Sequence, residues 1–142
     1  MNISRRTKLV KCSNVFSTGT TGTGNLGNAV DMAGFEGCRF IVDLGATTVL
    51  SRTLQISGST ASGGTYTTLA GAVTNATTLS HRLMSIDMYR PTYRFLKALF
   101  SSTGLADTGS GIIAELYSPR VSPTTNVSTD VAAEAFVAGA TT

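Results

Sequence analysis

One glycine pattern in this sequence matches a cofactor-binding fingerprint. Residues 22–27 read Gly-Thr-Gly-Asn-Leu-Gly, the G-x-G-x-x-G spacing with which dinucleotide-binding proteins hold a pyrophosphate, and Asp43 follows near the distance expected of a ribose-binding acid. The fingerprint works only where a strand ends and a helix begins, because the helix N-terminus receives the phosphate. A strand is predicted after Gly27, so the pattern indicates no cofactor.

The small number of histidine and cysteine residues limits the catalytic nucleophile sites and metal sites that this chain could form. His81 is the single histidine, which excludes multi-histidine metal sites and leaves at most a Cys-His pair with Cys12 or Cys38. The two cysteines lie in strand-like runs and lack the close spacing of a metal or redox motif. We expect buried free thiols, and a disulfide between neighbouring strands is the alternative.

Paired carboxylates could act as glycosidases do, and Asp43, Asp87 and Glu115 all fall within predicted strands. Residue alternation, however, places each of them on an outward face, with basic residues nearby, such as Arg39 for Asp43. Solvated ion pairs are therefore expected. No loop has the Asp/Asn-rich pattern of a calcium site. The sequence predicts a protein that is not an enzyme and that uses no cofactor or metal.

The composition indicates which elements position these residues. Hydrophobic residues make up 42% of the 142-residue chain and charged residues only 13%, about half the usual share. Ser and Thr supply roughly a quarter of the residues, which favours many short strands over helices. A surface poor in charge is typical of a chain that stays docked to a partner, and a Thr-rich monomer is the alternative.

Alternating apolar and polar residues predict the strands. Phe40, Val42 and Leu44 share one face of a strand over 37–44, and Met84, Ile86 and Met88 share one face of a strand over 83–89. Further strands are expected over 8–16, 51–57, 65–69, 93–101 and 112–117. Arg52 is assigned to the outward register of its strand. The predicted core comprises Phe40, Val42, Leu54, Ile56, Met84, Ile86, Phe95, Leu99, Ile113 and Leu116.

Seven or eight short strands with frequent turns predict an all-β fold, an antiparallel β-sandwich that is jelly-roll-like and has extended arms at both termini. Residues 1–11 are assigned to a basic N-terminal arm, 12–119 to the sandwich domain, and 120–142 to a C-terminal arm. Asp130 could cap a short helix in that last arm, and a frayed tail is the alternative.

The two arms carry the residues that we expect to bind a partner. Four basic residues precede the first acidic residue, Asp31, and could meet an acidic surface, whereas a solvated terminus is the alternative. Direct nucleic-acid recognition is not expected, because clustered aromatic residues and a basic stripe are missing. The predicted partner-binding residues are Arg5, Arg6, Lys8, Lys11, Arg120, Val131, Phe136 and Val137.

No apolar run is long enough to span a membrane, and the basic start of the chain is followed by no apolar stretch of the kind found in a signal peptide. Synthesis and folding in a cytoplasm, whatever the final location, are therefore expected.

Several short runs resemble one family. These are Phe35-Glu-Gly-Cys-Arg-Phe-Ile-Val-Asp-Leu-Gly45, Leu54-Gln-Ile-Ser-Gly-Ser59 with Gly63-Gly-Thr-Tyr66, Tyr93-Arg-Phe-Leu-Lys97, and Gly111-Ile-Ile-Ala-Glu-Leu-Tyr-Ser-Pro-Arg120. Together, over about residues 30–123, they resemble the small virion-associated proteins of tailed bacteriophages. The sequence departs from that pattern in the turn over 59–64, in Tyr66 where the family has Trp, and in its Ala-rich tail.

The resemblance implies a β-sandwich protein of the phage particle, and a capsid decoration or cement protein fits the low charge and the two arms best. The implied partner is the major capsid protein, bound at the surface of the phage head by a small homo-oligomer, a dimer or trimer. A head-to-tail connector or tail protein and a carbohydrate-binding module of a fibre are the alternatives.

Overall fold

The computed structural model describes residues 6–13, 16–18, 25–47, 51–76, 82–103, 107–121 and 130. The described elements are all strands: β1 (Thr7–Lys11), β2 (Phe16–Thr18), β3 (Asn25–Leu26), β4 (Val30–Asp31), β5 (Phe35–Thr47), β6 (Ser51–Ser59), β7 (Thr67–Ala76), β8 (Arg82–Tyr89), β9 (Phe95–Thr103) and β10 (Asp107–Pro119). The predicted all-β class is confirmed.

Two antiparallel sheets pack face to face. Sheet A has the strand order β1-β10-β5-β8, and β2 also pairs with β10; sheet B has the order β3-β9-β6-β7, and β4 also pairs with β9. The chain is nested, because its first strand pairs with its last, β3 and β4 pair with β9, β5 with β8, and β6 with β7. This wrapped hairpin is the strand order of a jelly roll.

The core lies between the sheets and follows the alternation of the long strands. Sheet A contributes Cys38, Phe40, Val42, Leu44, Met84, Ile112, Ala114 and Leu116, and sheet B contributes Leu54, Ile56, Leu96, Ala98 and Phe100. Six of the predicted core residues, Phe40, Val42, Leu54, Ile56, Met84 and Leu116, are among them, and Ile86 packs partly buried against the cluster.

Three predicted core residues are wrong by one position. Ile113 is 47% exposed, whereas its neighbour Ile112 is fully buried. On β9, Phe95 and Leu99 are only half-buried on the outer side of sheet B. In each case adjacent residues are both apolar, so the sequence offers two possible inner registers, and pairing with neighbouring strands selects one.

The predicted outward position of Arg52 is also wrong. Arg52 lies in the inner register of β6 together with Leu54 and Ile56. It is only 1% exposed, and its Nη2 donates to the carbonyl oxygen of Gly45 at 3.5 Å. Strand alternation outweighs the polarity of one side chain when that side chain can find partners inside.

Two predicted boundaries also differ from the structure. Strand β7 extends beyond the predicted strand over 65–69 and continues through Gly71, whose φ of +76° suits glycine, to Ala76. Residues 7–11, which were assigned to the N-terminal arm, form β1 and pair with β10 along its length.

Candidate partner-binding surfaces

The two arms leave the sandwich at the same end. Strands β1 and β10 are antiparallel neighbours, and Thr7 at the start of β1 lies opposite Tyr117 near the end of β10. The chain before Thr7 and the chain after Pro119 therefore start side by side. A surface that uses both arms must include this end of the sandwich.

Arginine side chains concentrate at that end, which we call the arginine end and define as Arg6, Arg90, Arg94 and Arg120 with the acidic residues Asp31 and Glu36. Two adjoining clefts of about 600 Å³ and about 560 Å³ lie there. Arg90 and Arg94 line the first cleft, Arg6 lines the second, and both clefts are lined by Glu36 and Arg120. The loop that follows β8 and the ends of β1 and β10 bring these residues together.

Asp31 and Arg94 form a bidentate pair. The Nε and Nη2 atoms of Arg94 donate to Oδ1 and Oδ2 of Asp31, each at 2.9 Å, and the backbone N–H of Ala33 donates to Oδ1. The hydrogen bonds from Arg94 are the main reason that the pKa of Asp31 is lowered, and they raise the pKa of Arg94. The charges of Asp31 and Arg94 therefore neutralise each other.

The carboxylate of Glu36 also has two partners. Arg90 Nη2 lies 3.3 Å from Oε1 of Glu36, and the Tyr89 hydroxyl donates to Oε2 at 3.5 Å. In the part of the chain that the structure describes, no ion pair involves Arg6 or Arg120. These two exposed guanidinium groups give the arginine end its excess positive charge.

The backbone is strained at this end. Arg90 and Ser118 are the non-glycine residues with positive φ among those described, at 49° and 51°. The N–H of Arg90 donates to the carbonyl of Glu36, and the N–H of Arg120 donates to the carbonyl of Gly34, at 2.7 and 2.8 Å. These bonds hold Arg90 against the start of β5 and Arg120 against the β4–β5 turn, and strained residues of this kind cluster at binding sites.

The structure separates the other predicted partner-binding residues. Lys8 lies in the inner register of β1, close enough to Asp31 for its charge to help lower the pKa of that carboxyl. Lys11 is exposed and lies in the register of β1 that faces outward on sheet A. Arg5, Val131, Phe136 and Val137 lie outside the described residues. Only Arg6 and Arg120 of the predicted set are brought together at one cleft.

The outer face of sheet A combines charges with exposed apolar residues. Arg39 Nη2 lies 3.6 Å from Oδ2 of Asp87, and the Tyr117 hydroxyl donates to Oδ1 of Asp87 at 2.6 Å. Burial, followed by this hydrogen bond, raises the pKa of Tyr117 to about 12. The Tyr117 ring covers Gly37, where a methyl group would overlap it. Arg39 thus pairs with an acid on the neighbouring strand.

Sequence reasoning missed the apolar part of this face. Leu9, Ile113 and Leu83 are 37%, 47% and 69% exposed, and Ile41 is half-buried between the last two. Ile113 lies directly opposite Ile41, whereas Leu9 and Leu83 lie one diagonal step away on the edge strands. An apolar stripe therefore crosses all four strands, and alternation would have revealed it if apolar residues in outward positions had been counted.

The outer face of sheet B carries polar side chains that bond to one another, together with the 43% exposed Val73 and the half-buried Phe95 and Leu99. The Thr53 hydroxyl donates to the side-chain oxygen of Asn75 at 2.8 Å, and the Gln55 amide donates to the Thr68 hydroxyl at 2.5 Å. Lys97 lies 4.4 Å from the centroid of the Tyr66 ring. Tyr66 and Tyr89 thus belong to opposite faces of the sandwich and form no common stacking platform.

Both cysteines are buried free thiols, as expected. Burial raises the pKa of Cys12 to about 12 and also raises the pKa of Cys38 well above its usual range. The carboxylate of Asp130 adds to the shift of Cys12, so the chain returns to the sandwich there after β10. Deep burial makes both thiols weak nucleophiles.

Among the described residues, no group of three or more His, Cys, Asp or Glu side chains could hold a metal ion. Within the same part of the chain, no helix has the length and apolar character needed to cross a membrane.

Comparisons with known proteins add little to this picture. No family model and no curated protein matches the sequence. A chain in the solved structure described as "Bacillus endospore appendages form a novel family of disulfide-linked pili" is similar, with 14% identity over 82% of this chain and 93% of that chain and a TM-score of 0.46. At this level of similarity, nothing follows about function.

Proposed function

We propose that this chain is a structural protein of a phage particle, and more specifically a capsid decoration protein that docks on the outer shell through the arginine end. The observation that carries the proposal is the pairing of Thr7 with Tyr117, which starts both arms beside the arginine end. A decoration protein needs a rigid body with one side that docks, and the sandwich with its arginine end fits that need.

Charge supports docking at this end. Arg6 and Arg120 line one cleft, and neither forms an ion pair with a described residue. Guanidinium groups bind carboxylates in a planar, two-point geometry, so an acidic patch on the major capsid protein is the surface that they fit best. The strained turns at Arg90 and Ser118 fix the positions of the neighbouring groups.

The mechanism would be mass action. A protein that binds only the assembled shell stabilises the shell by the free energy of binding, and contacts to adjacent capsomers resist the expansion caused by packed DNA. The sandwich supplies rigidity through its closed core, and the arms supply contacts on either side of the arginine end.

The test is co-sedimentation of the full chain with capsids that lack it. We expect the wild-type chain to bind at fixed stoichiometry and binding to weaken as salt increases. The double variant Arg6→Glu with Arg120→Glu should bind about tenfold or more weakly, because two favourable contacts become repulsive.

Arg82→Glu is the matched control. Arg82 is an exposed arginine at the start of β8, paired with Leu44, and it lies at the opposite end of that strand from Tyr89 and the arginine end. Its reversal changes the net charge in the same direction as either single reversal, Arg6→Glu or Arg120→Glu, and by the same amount, and it should leave binding nearly unchanged. Equal losses of binding in the two variants would show that the effect comes from net charge alone. A wild-type chain that does not co-sediment with capsids would overturn the capsid role.

A further inference from the structure

The two central strands of sheet A carry a self-complementary set of residues on their outer face. On its two central strands, Ile113 lies opposite Ile41 and, one step along the same face, Glu115 lies opposite Arg39. A two-fold axis that runs parallel to the strands, between β10 and β5, would exchange these two strands. Ile113 of one copy would then meet Ile41 of the other, and Glu115 would meet Arg39, each contact occurring twice.

We propose that the outer face of sheet A binds a second copy of this chain, forming a symmetric dimer in which the two faces pack sheet on sheet. Face-to-face sheets lie about 10 Å apart with side chains interdigitated. The Ile113–Ile41 contacts form the centre of the interface, and Arg39 and Glu115 set its register.

Charge favours a second copy over an unrelated partner. In the described part of the chain Arg39 pairs with Asp87, whereas Glu115 is left without an ion pair. The row across β10, β5 and β8 thus reads acid, base, acid, with Glu115, Arg39 and Asp87 in register. In the dimer, each Arg39 gains the second copy's Glu115.

The area of this outer face sets the expected affinity of the dimer. Four strands about 4.8 Å apart and three outward residues about 7 Å apart along each strand give a footprint of about 400 Å². This is below the roughly 800 Å² per partner of a standard interface. We therefore expect a dimer that dissociates in the micromolar range.

A pair of charge reversals tests the register. Arg39→Glu alone places acid against acid across the two-fold axis, and Glu115→Arg alone places base against base. Each variant should be monomeric in sedimentation-velocity runs at concentrations where the wild-type chain is dimeric, with an association constant at least about tenfold lower. Mixed in equal amounts, the two variants should form a heterodimer, because each acidic face then meets a basic one.

Apolar contact is tested with a matched pair of substitutions. Ile113→Lys should abolish the dimer, whereas Val73→Lys, at a 43% exposed position on the outer face of sheet B, should leave it intact. Far-ultraviolet circular dichroism and thermal unfolding of each variant check that the fold is retained.

A wild-type chain that stays monomeric up to about 500 µM overturns the proposal, since even a weak interface of this size would be populated there. An oligomer that survives Ile113→Lys, or single variants that fail to associate on mixing, also overturns it. These measurements need no capsid, so their outcome is independent of whether the arginine end binds a shell.

Discussion

The outer faces of the two sheets come from the same fold and the same Thr-rich chain, but they differ in what they leave uncovered. On sheet B, polar side chains bond to one another across the strands, as Thr53 does with Asn75 and Gln55 with Thr68. On sheet A, Ile113 and Leu83 remain exposed beside a charged row. The bonded polar groups of sheet B have little to gain from a partner, whereas the exposed apolar residues of sheet A, which have charges beside them, do.

Burial also changes the pKa values of several side chains. Cys38 and Tyr117 lie on sheet A, and Cys12 follows directly after β1. All three have a raised pKa, mainly because of burial. On the side of sheet B, burial also raises the pKa of Tyr66. Alkaline pH should therefore act on the sandwich through buried groups of both sheets, and first through the two thiols.

The largest effect that we expect is alkaline destabilisation. The folded state keeps its thiols protonated above the ordinary cysteine pKa of 9.0, whereas the unfolded chain releases those protons. Stability is thus fully present below pH 9 and is lost as the pH rises from there towards the folded pKa. Each thiol contributes about 1.4 kcal/mol per pH unit, so the free energy of unfolding should fall by about 2–3 kcal/mol between pH 8 and 10.

Urea unfolding at a series of pH values measures this loss. The variant Cys38→Ala should roughly halve the slope, because one of the two titrating thiols is removed, although it lowers stability at every pH by leaving space in the core. A slope that is unchanged in Cys38→Ala would contradict the assignment of the loss to the thiols.

A smaller effect is expected from crowding the tyrosine on sheet A. In Gly37→Ala, the added methyl group would overlap the Tyr117 ring, so the ring must move and its hydrogen bond to Asp87 must break. We expect a loss of about 2 kcal/mol in the free energy of unfolding.

Gly63→Ala is the control for that substitution. It lies in the loop before β7, where nothing is within 4 Å of the added methyl group, and its φ is not in the left-handed region. Its unfolding free energy should match that of the wild type. Equal losses for the two alanine variants would show that Tyr117 does not hold its place over Gly37.

We expect the smallest losses of stability when single polar contacts on the two outer faces are removed. Asp87→Ala removes the acceptor of the Tyr117 hydroxyl and the partner of Arg39, and it should cost about 1 kcal/mol. Asn75→Ala removes one exposed hydrogen bond to Thr53 and should cost less than about 0.5 kcal/mol. Thermal unfolding of both variants gives the comparison, and a larger loss for Asn75→Ala would reverse our ranking of the faces.

Much of this protein is determined by its sequence alone. The alternation in 37–44 and 83–89 predicts β5 and β8 with their inner residues, because a strand in a half-buried sheet shows a period of two. Low charge and abundant Ser and Thr predict the all-β class. The outward positions of Asp43 and Asp87 follow from the same period. These are local properties, and local sequence is sufficient to fix them.

Only the tertiary structure decided the rest. Alternation gives a strand's faces but not its neighbours, so the pairing of β1 with β10 and the joint position of Arg6 and Arg120 could not be predicted. Where both faces are apolar, as at Ile112 and Ile113, the register of the paired strands chooses which residue is buried. The choice of Ile112 for the core leaves Ile113 exposed on the outer face of sheet A, and the apolar stripe follows from that choice.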